Sequence, residues 1–130
     1  MTHPNAQFAH AYFAAVEAGE LPDSLLTDDF SAWTTTTGPM DKATYQNAIR
    51  LLARMCDSPI RFTVDAVTCE ENRVVAEARS KAVLIDGKPY ENTYVFTLRV
   101  RNGRIAWIGE HMNALIVQEK LVPLMAKLAG

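Results

Sequence analysis

Three side chains have types and spacing suited to acid–base chemistry: Glu77, Arg79 and Glu110. Glu77 and Arg79 are two residues apart in an alternating run, 74–85, so on a β-strand both point to one side. If that side lines a pocket, Arg79 can bridge Glu77 and Glu110. A buried arginine beside two carboxylates holds at least one of them ionised at neutral pH. Such a carboxylate can orient a water or take a proton. The pattern has a second reading, in which Glu77, Arg79 and Lys81 form an alternating-charge face in solvent. The opposite face is Ala76, Ala78, Ser80 and Ala82, small residues suited to close packing under a helix or a partner sheet.

Residues 90–113 supply the other candidates. They form two alternating runs joined by Asn102-Gly103, a pair that accepts the positive φ angles of a tight hairpin turn. Tyr90, Asn92, Tyr94, Phe96 and Leu98 share one face of the first run, and Glu110 lies at the far end of the second. Aromatics, an amide and a carboxylate together suit a pocket wall. Asn92 and Tyr94 fit an amide and a phenol that position a ligand oxygen; for Asn92 a structural hydrogen bond to a loop is the other reading. Phe96 and Met112 join the candidate lining. Tyr12 is either a donor to the ligand or a core aromatic with its hydroxyl bonded. Trp33, beside Thr34, either closes the pocket mouth or packs in the core. Trp107 and His111 fall on the other side of their strand from Glu110 and suit a helix or dimer interface.

The elements that must position these groups follow from periodicity. A helix is predicted over 4–18, with Phe8, Ala11, Tyr12 and Ala15 at helical spacing and Gly19 as its cap. Residues 22–26 read as a short second helix and 30–36 as a short strand. The threonine run 34–37 suits a strand or its exit. Asp41 can cap a third helix ending near Cys56, with Ala48, Ile49, Leu52 and Met55 inward. Long strands follow over 60–67 and 74–85, with Asp86-Gly87 as a second hairpin signal, and the runs around Asn102-Gly103 complete the sheet. A last helix over 113–128 should be kinked or divided by Pro123. Three helices followed by a strand meander predict an α+β fold with helices on one side of an antiparallel sheet.

A length of 130 residues suits one domain, 1–130. The net charge of −2 argues against a nucleic-acid footprint, which needs clustered Lys and Arg. Arg99, Arg101 and Arg104 gather at the Asn102-Gly103 hairpin, as a solvated tip does. Cys56 and Cys69 lack metal or redox spacing. His3, His10 and His111 are too scattered for a metal site. No metal or cofactor is expected. The N-terminus shows no secretory pattern, and no apolar run approaches the roughly 20 residues that span a bilayer. A cytoplasmic protein with no membrane partner is the expectation.

The order of elements, the length and the pattern YxNxYVFxxRVxNGRIxxxxEHMN resemble the SnoaL-like branch of the nuclear transport factor 2-like superfamily. The early segment AYFAAVEAGELPDSLLTDDF is similar to the first two helices of ketosteroid isomerase-like members. The resemblance covers nearly the whole chain. It implies a conical α+β barrel whose curved sheet wraps a pocket, and a fold that hosts isomerases, cyclases, hydrolases, dehydratases and binders. The run Glu110-His111-Met112-Asn113 departs from the usual Glu-aromatic-x-Asp ending. By likeness to ketosteroid isomerase, Tyr12 falls at the oxyanion-hole tyrosine, Thr34 at the base, and the protonated acid falls near Phe96, so two of three parts are replaced. By likeness to limonene-epoxide hydrolase, Glu77, Arg79 and Glu110 keep the charge set in changed order, and Thr34 stands where a water-binding Asn is usual. The resemblance also implies a homodimer through the outer sheet face, with Ile105, Trp107 and the small-residue face of 74–85 as candidates.

The combined expectation is a cofactor-free enzyme for an apolar small molecule, of isomerase, cyclase or hydrolase type. Glu110, Arg79 and Glu77 are its catalytic set. Tyr12, Trp33, Thr34, Asn92, Tyr94, Phe96 and Met112 line its substrate site. The alternative is a non-catalytic ligand-binding domain of the same fold.

Overall fold

A computed structural model describes residues 3–129. Helix α1 (Ala6–Ala18) leads through a 3-10 turn (Asp23–Leu25) to strands β1 (Leu26–Thr34) and β2 (Gly38–Asp41). Helix α2 (Lys42–Met55) precedes four long strands: β3 (Arg61–Glu70), β4 (Arg73–Val83), β5 (Pro89–Arg101) and β6 (Arg104–Met112). Helices α3 (Ala114–Lys120) and α4 (Val122–Ala129) finish the chain. One curved, open sheet runs β2-β1-β6-β5-β4-β3. Helix α1 packs on β3 and β4, and α2 on β1 and β2. The apolar core lies between helices and sheet: Tyr12, Phe13, Tyr45, Phe96, Leu98, Ile105 and Ile108 are all buried there. This is the expected α+β cone.

Local chemistry accounts for the element ends. Gly19 takes φ 85°, which a residue with a Cβ avoids, and its N–H closes α1 onto Ala15 and Val16 carbonyls. Asp41 accepts from the Thr44 N–H at 2.8 Å and starts α2. The chain breaks at Leu121, and Pro123 sits in the first turn of α4, where its missing N–H costs nothing. Details differ from the sequence reading. The second helix is a single 3-10 turn, β2 was not foreseen, and the sheet is mixed because β1 pairs with β6 in parallel.

Two register features decide which side chains face the helices. The β5–β6 turn is the expected two-residue hairpin, with Asn102 at φ 53° and Gly103 at φ 75° between paired Arg101 and Arg104. One step beyond Val100–Ile105, a β-bulge leaves Ala106 unpaired, and the register continues as Arg99–Trp107 and Phe96–Glu110. A one-residue slip exchanges the two faces of a strand. Without the bulge Glu110 would share the outer face with Val95; with it, Glu110 faces inward beside Phe96. The hairpin register before the bulge puts Ile105 in the core, fully buried, and the slip puts Trp107 outside. Ile105 is therefore not part of the outer face.

The β4–β5 turn is longer than a two-residue Asp86-Gly87 hairpin. Leu84 N–H donates to the Lys88 carbonyl and Gly87 N–H to the Leu84 carbonyl, with Gly87 at φ 84°. That is a three-residue loop ending in a left-handed glycine. It pairs Ala78 with Tyr94 and Ala76 with Phe96. A two-residue loop would have brought Arg79 and Glu77 to those positions.

Candidate functional site

Between the helices and the concave sheet face lies a half-open cavity of about 130 Å³, close to the roughly 150 Å³ that accepts a benzene molecule in a dry protein core. Its apolar wall includes Val16, Ile49, Leu52, Phe62, Phe96 and Met112. Its polar groups are Tyr12, Tyr45, Tyr90, Tyr94, Glu110 and three threonines, Thr34, Thr36 and Thr37. Among the described residues, no Arg, Lys or His lines it.

Among the described residues, Glu110 is the one carboxylate in this wall. The Tyr45 hydroxyl lies 2.9 Å from its Oε1 and donates to it, and the Tyr12 hydroxyl lies 2.6 Å behind that of Tyr45. With Glu110 ionised, the protons order as Tyr12 to Tyr45 to Glu110. The other carboxylate oxygen has no protein partner among the described residues and is not sealed from solvent, so it opens on the cavity. Burial penalises the charged form and pushes the Glu110 carboxyl up to about 7, against the pull of the Tyr45 hydroxyl and of Tyr12 behind it. Burial, with Glu110 nearby, holds both phenols well above their ordinary range, so they remain neutral donors. A carboxylate poised near neutrality, with one free oxygen in an apolar cavity, can take a proton from a bound compound and return it.

The expected catalytic set is not assembled. Glu77 and Arg79 project from the outer face of β4, where Arg79 forms a two-pronged pair with Asp65 at 2.8 and 2.9 Å. Both are exposed. The face that lines the core is Ala76, Ala78, Ser80 and Ala82. The alternating-charge solvent face is thus the arrangement present, and no arginine sets the charge of Glu110.

Of the expected substrate-site residues, Tyr12, Thr34, Tyr94, Phe96 and Met112 line the cavity. Trp33 does not: it lies on the outer face with its ring 5.0 Å from that of His111. Asn92 is buried outside the lining and spends its amide on structure, accepting from the Thr93 and Asn113 N–H groups and donating to the Asn113 carbonyl and the Tyr90 hydroxyl. Thr34 is occupied as well. Its oxygen accepts the Thr37 N–H at 3.1 Å and contacts the Thr37 hydroxyl at 2.6 Å, which itself donates to the Gly38 carbonyl. Asn113 caps α3 by accepting from the Leu115 N–H. Tyr45 is the group that the sequence reading missed. A signal was present, since Tyr45, Ile49 and Leu52 fall at i, i+4 and i+7 on one helical stripe.

A family model for the SnoaL-like domain matches residues 9–108, and the chain belongs to that family. No curated protein matches the sequence. Among solved structures, an NTF2-like protein from Anabaena variabilis is 25% identical, with a TM-score of 0.76 over 87% of this chain and 94% of its own. PrhC from Penicillium brasilianum superposes with a TM-score of 0.81 at 20% identity, over 96% and 90%. IdmH from Streptomyces antibioticus, a candidate polyketide cyclase, gives 0.77 at 17% identity, over 92% and 99%. The last two likenesses speak to the fold.

Proposed function

We propose that this protein is a small-molecule acid–base enzyme that moves a proton at a carbon next to a carbonyl, as isomerisation or aldol-type ring closure requires. The observation that carries this reading is the Glu110 carboxylate, held at one oxygen by Tyr45, which Tyr12 backs, and open to an apolar cavity at the other. Glu110 is the base, then the acid. Tyr45 and Tyr12 orient it and keep it partly ionised at neutral pH. The apolar wall excludes bulk water and takes a moderately apolar substrate. The candidate polyketide cyclase among its structural neighbours fits this class of chemistry.

The test needs no known substrate. In D2O, wild-type protein should accelerate exchange of the acidic ring protons of 2-tetralone, followed by proton NMR, and Glu110→Gln should not. Equal exchange by both would overturn the assignment.

The alternative is a binder of the same class of ligand. It is favoured by the way Thr34 and Asn113, at positions of catalytic interest by resemblance, spend their side chains on a turn and a helix cap. Tight binding of 2-tetralone without any exchange would support it. A homodimer also fits, through the outer face of β5 and β6. Val95 is exposed there, and Trp107 lies under the Arg99 guanidinium, 5.7 Å from its centroid. A monomer at micromolar concentration in the ultracentrifuge would contradict it. The unpaired thiols of Cys56 and Cys69 suit a reducing compartment such as the cytoplasm.

A further inference from the structure

The cavity has a second cluster of hydroxyls, away from the Tyr12–Tyr45–Glu110 chain. Ser80 Oγ lies 2.8 Å from the Tyr94 hydroxyl, and the Tyr94 hydroxyl 3.3 Å from that of Tyr90. Asn92 Nδ2 lies 3.1 Å from the Tyr90 hydroxyl. Tyr90 and Tyr94 both line the cavity, and Ser80 and Asn92 are buried behind them.

The protons of this cluster do not balance. Asn92 Oδ1 accepts two backbone N–H groups, from Thr93 and Asn113, so its nitrogen is the edge facing Tyr90. Tyr90 is therefore an acceptor towards Asn92 and still owns a proton. Three hydroxyls carry three protons, and there are only two links between them. At least one proton is left without an acceptor among the described residues. The 3.3 Å link is also longer than a good hydroxyl bond, so it is readily given up for a better acceptor. With Ser80 donating to Tyr94 and Tyr94 to Tyr90, the free proton is that of Tyr90, and its acceptor comes from the cavity that Tyr90 lines.

Position along the strand supports this. Phe96 pairs with Glu110 and Tyr94 with Met112, so Tyr94 is one same-face step from Glu110, about 7 Å of strand. Both poles therefore line one small cavity, within reach of a single compound. The missing cation matters too. Among the described residues, no basic side chain lines the cavity, and ionised Glu110 would repel a second negative charge. The acceptor that suits Tyr90 and Tyr94 is a neutral oxygen.

We infer that the cavity takes a neutral cyclic compound with two oxygen functions, one reacting at Glu110 and one held by the Tyr90–Tyr94–Ser80 hydroxyls. The inference rests on the Glu110 reading for the first oxygen and on proton counting for the second. Tyr90 and Tyr94 are then residues that determine specificity.

Binding of acetophenone, 1,3-diacetylbenzene and 1,4-diacetylbenzene by calorimetry tests it. Wild-type protein should bind one diacetyl isomer about tenfold more tightly than acetophenone, as one further hydrogen bond provides. Tyr94→Phe and Tyr90→Phe should each cut that preference to about twofold or less, with circular dichroism checking the fold. 4-Acetylbenzoate, similar in shape but charged, should bind no better than acetophenone. Equal affinity of wild-type protein for all three ketones would overturn the second pole without any variant. So would a preference that survives both substitutions, and tighter binding of 4-acetylbenzoate would overturn neutrality. Exchange of 2-tetralone reads Glu110 separately. Exchange without preference removes only the second pole, and preference without exchange removes only the base.

Discussion

The Tyr45 hydroxyl donates to Glu110 Oε1 over 2.9 Å and ties helix α2 to the last strand inside the cavity. Neither residue signals the other in sequence, being 65 positions apart. The bond pulls the carboxyl down while burial pushes it up to about 7, and burial wins.

That balance predicts a pH-dependent cost to stability. The folded-state carboxyl sits at about 7 against an ordinary 4.5, so the folded protein holds the proton more tightly than the unfolded chain. The penalty is absent below about pH 4.5, grows through the interval and is complete above about pH 7, reaching up to roughly 3 kcal/mol at 1.36 kcal/mol per unit. Glu110→Gln removes the charge and keeps an acceptor for Tyr45. Urea unfolding should show the variant gaining on wild type between pH 5 and pH 8. An equal difference at both pH values would contradict a raised carboxyl.

Tyr45→Phe removes the hydrogen bond that lowers the carboxyl, so the Glu110 titration should move above 7. The pH at which 2-tetralone exchange reaches half its maximum should rise with it. The variant should also lose about 1 kcal/mol of stability, because the Tyr12 hydroxyl loses its partner. An exchange profile that stays in place would separate Tyr45 from the titration of Glu110.

Glu77→Gln and Arg79→Ala lie on the outer face and should leave exchange at the wild-type rate. The pair with Asp65 is exposed and screened by solvent, so its loss should leave the fold intact. A large loss of exchange in either variant would return these residues to the mechanism.

Gly19→Ala should destabilise by 1 kcal/mol or more. The position has φ 85°, and an added Cβ would meet the Ala53 Cβ at 3.1 Å, which presses α1 away from α2. Thermal melts of the two proteins check this; an unchanged midpoint would show that the helix end relaxes without cost.

By itself the sequence determined what depends on neighbours in the chain. Periodicity of 3.6 placed α1 and α2, period two placed the long strands, and Asn102-Gly103 defined its turn because few residue pairs accept two positive φ angles. It grouped Tyr94 with Phe96, and Glu77 with Arg79, because strand alternation is local. Which group faces the cavity was decided by tertiary structure. A loop one residue longer than two turned Ala76 and Ala78 inward and Glu77 and Arg79 out, and an unpaired Ala106 turned Glu110 inward. Each is a one-residue change of register, and with a repeat of two such a change exchanges the faces. Tyr45 came to Glu110 only when α2 packed against the sheet, since a hydrogen bond across 65 positions leaves no periodic mark in the chain.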